Sequence, residues 1–190
     1  MAAVHTDLVN EAEYRRLALA DRHGQLELYR GQLRENTEMS ATHDYAIVYL
    51  TEQLLQQLSR MEFTLSIGHA RLRVSPDTYY VPDIVVIPAA LERALRAQPN
   101  ALSAYTDPLP LVIEIWSSST GSYDIRVKLA DYQQRGDLEI WFVHPTQRTL
   151  RAWRRQPDGS YDETVYHGGI ASAASLPQLA IDFDDFFEGL

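Results

Sequence analysis

The chain has 190 residues, 45% apolar and 23% charged, a balance that suits one soluble globular domain, residues 1–190, with its own core. It has no cysteine, which excludes disulfides, thiolate metal sites and cysteine nucleophiles. The net charge of −9 argues against a broad basic face for nucleic acid, although Arg71, Arg73, Arg148, Arg151, Arg154 and Arg155 leave room for a local one.

No apolar run approaches the roughly 20 residues that span a bilayer, so no membrane contact is expected. The opening "MAAVHTDLVNEAEYRR" has neither the basic lead nor the apolar stretch of a signal peptide. A cytoplasmic protein is the expectation.

In chain order, residues 8–23 predict a short helix closed by Gly24. "QLELYRGQLREN" alternates apolar and polar residues around Arg30-Gly31 and predicts a hairpin. Ser40 or Thr42 can cap a helix beginning near Ala41, with Ile47, Leu50, Leu54, Leu55 and Leu58 at helical spacing. "MEFTLSIGHARLRVSPDTYYVPDIVVIP" predicts two or three strands, the last ending at Pro88, and residues 89–107 a helical turn and a loop. A strand around Glu114 precedes the polar "SSSTGS" and a helix from about Tyr123 to Arg135, where Gly136 suits the left-handed C-terminal cap. "EIWFVH" is a further strand, and "TLRAWRR", "QPDGS" and "YDETVYH" form a hairpin.

Two acids stand where apolar residues would pack better. Glu114 lies among Leu111, Val112, Ile113, Ile115 and Trp116, where an ionised carboxylate needs a salt bridge, a metal ion or a catalytic partner. Asp83 heads the apolar run Ile84, Val85, Val86 and Ile87, whereas its rival Asp77 precedes "TYY" and reads as a turn residue. Strand alternation puts Glu114 on the face of Val112 and Trp116, and Asp83 on the face of Val85 and Ile87. If the strands are neighbours, two carboxylates converge, and their repulsion favours a bound cation. Hard oxygens suit Mg²⁺ (or Mn²⁺), which takes one or two carboxylates and keeps several waters. The Ile115 backbone carbonyl, on the same strand as Glu114, is a third candidate ligand.

Lys128 has two readings. Asp124, four residues earlier, can pair with it on a helix surface. Lysine is scarce in an arginine-rich chain, however, and points to a compact ammonium with a tunable pKa. Tyr132, Trp141 and Trp153 read first as core and sheet residues, with base stacking as the alternative. Ser117, Ser118 and Ser119 lack the Gly-x-Ser-x-Gly elbow of a serine hydrolase.

"PDIVVIP" with "PLVIEIWSSSTGSYDIRVKLADYQQRGDLEIWFVHP" resembles the Uma-type family of putative restriction endonucleases, over roughly residues 20–187. Asp124, Lys128 and Tyr132 match its helix motif, followed by Gly136, Glu139 and Trp141. The chain departs in reading His144-Pro145 for the family's Asp-Pro, and "EIW" for Glu-Val-Leu.

That family is similar to the PD-(D/E)xK nuclease superfamily. The resemblance implies a restriction endonuclease-like αβββαβ core in an α/β (α+β) fold, a mixed β-sheet flanked by helices. It implies that Asp83 and Glu114 bind Mg²⁺. Trp116 occupies the place of the usual lysine, whose role passes to Lys128. Glu27 matches a recurrent acid before the hairpin glycine, and either leans into the site or decorates an exposed strand. His43 matches a histidine opening the long helix, and either packs beside Ile47 or acts as a general base. The expected function is a Mg²⁺-dependent endonuclease hydrolysing phosphodiester bonds in DNA, as a homodimer. The alternative is an inactive nuclease-fold module that binds nucleic acid or protein, and a third reading is a hydrolase of small phosphoesters.

Overall fold

The structure, a computed structural model, describes residues 8–35, 40–98, 102–116 and 121–190. It opens with α1 (Glu11–Ala20), where the Asn10 side chain accepts a hydrogen bond from Glu13 N and so caps the first turn. Strands β1 (Leu26–Tyr29) and β2 (Gln32–Glu35) form a hairpin. Its turn residues Arg30 and Gly31 lie at φ 48° and 80°, the backbone signs a two-residue turn of matching twist demands. Helix α2 (Ala41–Gln57) is capped by Ser40, whose side chain accepts from His43 N.

Four strands follow, β3 (Phe63–Ile67), β4 (Arg71–Ser75), β5 (Thr78–Tyr80) and β6 (Ile84–Pro88), rather than two or three. Residues 89–107 hold an eight-residue helix, α3 (Ala89–Arg96), and a two-residue strand, β7 (Ala104–Tyr105), more than the turn and loop expected. Then come β8 (Leu111–Ile115), α4 (Gly121–Arg135), β9 (Glu139–His144), β10 (Thr149–Arg155) and β11 (Tyr161–Tyr166). Gly136 at φ 82° ends α4 in the left-handed cap, and its amide reaches back to Tyr132 O. The chain closes with β12 (Ile170–Ala173), β13 (Leu176–Asp182) and α5 (Phe183–Glu188), none of which the sequence reading had resolved.

The strands divide among three sheets. A six-stranded sheet runs β11-β10-β9-β8-β6-β3, a five-stranded one β2-β1-β5-β4-β7, and β12 pairs with β13 alone. In the larger sheet β3, β6 and β8 are antiparallel neighbours, and β8 and β9 are parallel, joined by the α4 crossover. The sequence α2, β3, β6, β8, α4, β9 is therefore the expected αβββαβ core of a mixed sheet flanked by helices. Strands β4 and β5 leave it to build the second sheet.

Each face of the larger sheet buries its own cluster. Ile84, Val86, Leu111, Ile113 and Ile115 pack with Ala46, Leu50 and Leu54 of α2 and with Phe183 and Phe186 of α5. Val85, Ile87, Val112, Ile140 and Phe142 pack on the other side with Tyr80 and Tyr132. Each fully buried aliphatic or Phe side chain contributes roughly 1.5–3 kcal/mol, so strands β6 and β8 are anchored from both sides. Glu139 of β9 is buried too; it accepts hydrogen bonds from Ala174 N at 2.5 Å and Trp141 Nε1 at 3.3 Å, which ties the C-terminal hairpin to the sheet. Among the described residues no helix is long and apolar enough to cross a membrane.

Candidate active site

The polar residues that break the apolar pattern of β6 and β8 meet at one end of the sheet. Pairing of Ile84 with Ile113 carries forward to set Asp83 opposite Glu114. Both are 7% exposed. Asp83 Oδ2 accepts a hydrogen bond from Ile115 N at 2.7 Å, and Asp83 Oδ1 lies 3.3 Å from His43 Nε2. Because Ser40 starts α2 just ahead of it, His43 sits in the first helical turn and reaches the strand end; it is buried beside the acid.

Lys128 enters from α4. It is the only lysine in the sequence, and it is 7% exposed. Its Nζ lies 3.2 Å from Glu114 Oε1 and donates to Glu27 Oε1 at 3.1 Å. Glu27 comes from β1 of the other sheet, is itself buried, and also accepts from Val81 N at 2.9 Å. The Tyr80 ring centre lies 5.4 Å from Lys128 Nζ, in cation–π range, while the Tyr80 hydroxyl donates to Asp131 Oδ2 at 2.6 Å. Tyr132, one helical turn beyond Lys128, donates its hydroxyl to Glu114 Oε1 at 2.5 Å. Helices α2 and α4, strands β1, β5 and β8 and the residue just ahead of β6 thus supply one cluster that draws on both larger sheets.

The electrostatics follow from three carboxylates sharing one lysine in a dry place. The Glu114 carboxyl is pushed up to about 8 overall: burial raises it most, Lys128 pulls it down, Asp83 and Glu27 raise it further, and the Tyr132 hydroxyl lowers it. Burial alone would lower the Lys128 ammonium, but Glu114, Glu27 and Asp83 outweigh it and hold the group well above the ordinary lysine value. Lys128 therefore stays charged, and Glu114 is the acid that carries a proton near neutrality. Burial also raises the Tyr132 hydroxyl far above its usual value, with the Glu114 and Glu27 charges adding to it, so it acts as a donor.

The structure brings together every residue singled out from the sequence: Asp83, Glu114, Lys128, Glu27, His43 and the Ile115 backbone. Two readings need correction. Lys128 is no surface residue: it is buried and paired with Glu27 and Glu114, while the Asp124 side chain lies outside the described ones. Glu27 does not decorate an exposed strand but faces inward. Asp77, set aside earlier, does sit in the β4–β5 turn, bonded to Ser75 and Thr78. Trp116 stacks on His144 with centroids 4.0 Å apart. Ser117, Ser118 and Ser119 lie outside the described residues.

Tyr132 and Tyr80 were missed as site residues, since aromatics in apolar surroundings read as core. Two signals pointed to Tyr132: helical spacing, which puts it on the Lys128 face, and its place in the family's helix motif.

The donor set suits a hard cation. Among the described residues no three His, Asp or Glu side chains are grouped to hold a metal unaided. Mg²⁺ needs only one or two carboxylates, because it retains waters, and Asp83 and Glu114 face each other across the strands. Tyr132 and Lys128 both address Oε1 of Glu114. A divalent ion there would also relieve the repulsion that raises Glu114.

Comparison with known proteins speaks to the family and the fold. The family model Uma2, described as "Putative restriction endonuclease", matches residues 11–184. A crystal structure from Anabaena variabilis, described as a putative nuclease belonging to DUF820, superposes with a TM-score of 0.75 at 16% identity. The match covers 95% of this chain and 98% of that one, and at such identity it speaks for the fold. Among curated proteins none matches.

Proposed function

The chain belongs to the Uma2 family of putative restriction endonucleases, and from that membership we propose that it is a Mg²⁺-dependent endonuclease hydrolysing phosphodiester bonds in DNA. The observation that carries the proposal is the facing pair Asp83 and Glu114 with the sole lysine, Lys128, buried against it. Asp83, Glu114 and the Ile115 carbonyl would hold Mg²⁺ or Mn²⁺. Bound there, the ion supplies Lewis-acid charge that polarises a phosphoryl oxygen and lowers the pKa of water.

The side chains do the rest. Asp83 is held in place by Ile115 N and His43 before any ligand arrives. Glu114 would be ionised when it holds a cation, and the Tyr132 hydroxyl fixes the orientation of its Oε1. Lys128, kept charged by its neighbours, offers an ammonium to the charge that develops on the phosphate and to the attacking water. Glu27 holds that ammonium from the far side, so its position does not depend on Glu114 alone. A homodimer would offer two such centres to the two strands of a duplex.

The test is incubation of the protein with single-stranded, duplex, nicked and branched DNA and with RNA, in Mg²⁺, Mn²⁺ or EDTA. Metal-dependent cleavage of DNA that Asp83→Asn abolishes is the expected result. DNA binding that survives in EDTA with no cleavage under any condition would overturn the proposal in favour of a binding module.

A further inference from the structure

The six-stranded sheet has two outer edges, and they differ in kind. At one edge β11 exposes Asp162 and Glu163. At the other, β3 reads "FTLSI", with no charge, no proline and no break in its register against β6. Every other edge among the described strands has a protective device. Strand β2 carries Arg34 and Glu35, β7 is two residues long, β13 contains Pro177, and β12 has a register shift at Ser172/Ala173. Charges, prolines, bulges and shortness are the usual defences of an open edge. Only β3 lacks them.

Its backbone is aimed outward in a regular way. Ala89 N donates to Glu62 O at 2.8 Å and Gly68 N donates to Asp83 O at 2.8 Å, so the even-numbered residues face β6. By alternation Phe63, Leu65 and Ile67 turn their backbone groups away from it. Phe63 N is used by Ser59 O at 2.9 Å. The Phe63 carbonyl and both backbone groups of Leu65 and Ile67 point past the last strand of the sheet. Beside them a trough of about 290 Å³ runs between β3 and α2, lined mainly by Leu54, Leu55, Leu58, Phe63, Leu65 and Ile67, with Arg60 as its one charged residue. Leu55 is 45% exposed and Ile67 39%.

We propose that β3 pairs antiparallel with β3 of a second copy of this chain, about a two-fold axis through Leu65, and that the pairing covers this trough. A strand satisfies a whole row of outward amides and carbonyls at once, and the two-fold makes this strand its own complement. Leu65 falls opposite Leu65, and Phe63 opposite Ile67. Each copy then donates two bonds, Leu65 N to Leu65 O and Ile67 N to Phe63 O, while Phe63 N keeps its turn partner. Charge selects the site as well. The chain carries a net charge of −9, and here uncharged strands meet, with Glu62 opposite Gly68 of the second copy rather than another acid. The two sheets become one of twice the width.

Light scattering at micromolar concentration should show a dimer. Ile67→Lys, at an exposed position, should convert it to a monomer with unchanged far-UV circular dichroism. Leu65→Cys gives a separate readout, because the chain has no cysteine of its own. Directly opposed residues of an antiparallel pair stand about 4.5–5.5 Å apart, inside the span of a disulfide, so mild oxidation should link the copies, while Thr164→Cys on β11 should not. A wild type that stays monomeric leaves the edge to some other protein's strand and overturns the proposal. So does a dimer that survives Ile67→Lys and gives no disulfide at Leu65→Cys.

Discussion

Replacing Glu114 with glutamine isolates the cost of its charge. With the folded carboxyl raised to about 8 against an ordinary 4.5, the native state holds the proton more tightly than the unfolded chain. That contribution favours the fold below pH 4.5 and is lost as pH rises through about 8. Between about pH 6 and pH 8 the unfolded carboxyl is ionised and the folded one is giving up its proton only at the end. Each pH unit then costs about 1.4 kcal/mol, fading near the folded value, for roughly 2 kcal/mol over the window. In a chain of this length that is about 4–8 °C in Tm. Urea melts in EDTA at several pH values should therefore show wild type losing roughly 2 kcal/mol relative to Glu114→Gln across that window. All other titrating groups are common to both proteins and cancel in the difference. Excess Mg²⁺ should flatten the wild-type curve, since an ion that binds the carboxylate stabilises the native state by RT ln(1 + [L]/Kd). Parallel curves in EDTA would mean that Glu114 is ionised throughout, an ordinary partner of Lys128, and would refute the reasoning.

Lys128→Met leaves Glu27 and Glu114 buried without their shared ammonium. Breaking a buried pair by removing one partner costs about 3–5 kcal/mol, so the variant should melt at lower urea, with the deficit shrinking in acid, and should not cleave DNA. Tyr132→Phe removes the hydroxyl that lowers Glu114; the acid limb of the pH–rate profile should move to higher pH, at a stability cost of about 1–2 kcal/mol.

The parts of the fold that were legible in the sequence are those where local pattern and tertiary outcome coincide. The apolar runs of β6 and β8 were long enough to show which face each residue takes, so the convergence of Asp83 with Glu114 followed from counting. The Ser40 cap and the Gly136 stop bounded α2 and α4 for local steric reasons. Strands β4 and β5 were misjudged because joining β1 rather than β6 is a choice between distant partners that no local pattern records. Strands β12 and β13 hid in "IASAASLPQLAID", whose alanines, serines and Pro177 are poor strand formers, and it takes Glu139 to tie them to the sheet. Lys128 was ambiguous for a related reason. Its spacing from Asp124 suits a surface pair, and only the arrival of Glu27 from another sheet turns it inward.

Glu27 belongs to the five-stranded sheet, whereas Asp83 and Glu114 border or lie in the six-stranded one. The centre is therefore a joint between two structural units, not a feature of either. Its alignment is set by how those units dock, through the packing of Tyr80 and Tyr132 at their seam. A substitution at that seam can slide one unit against the other and pull the ammonium off register while each unit keeps its own strands paired. Variation in such a protein would be expected to tune reactivity from the hinge line as readily as from the site itself.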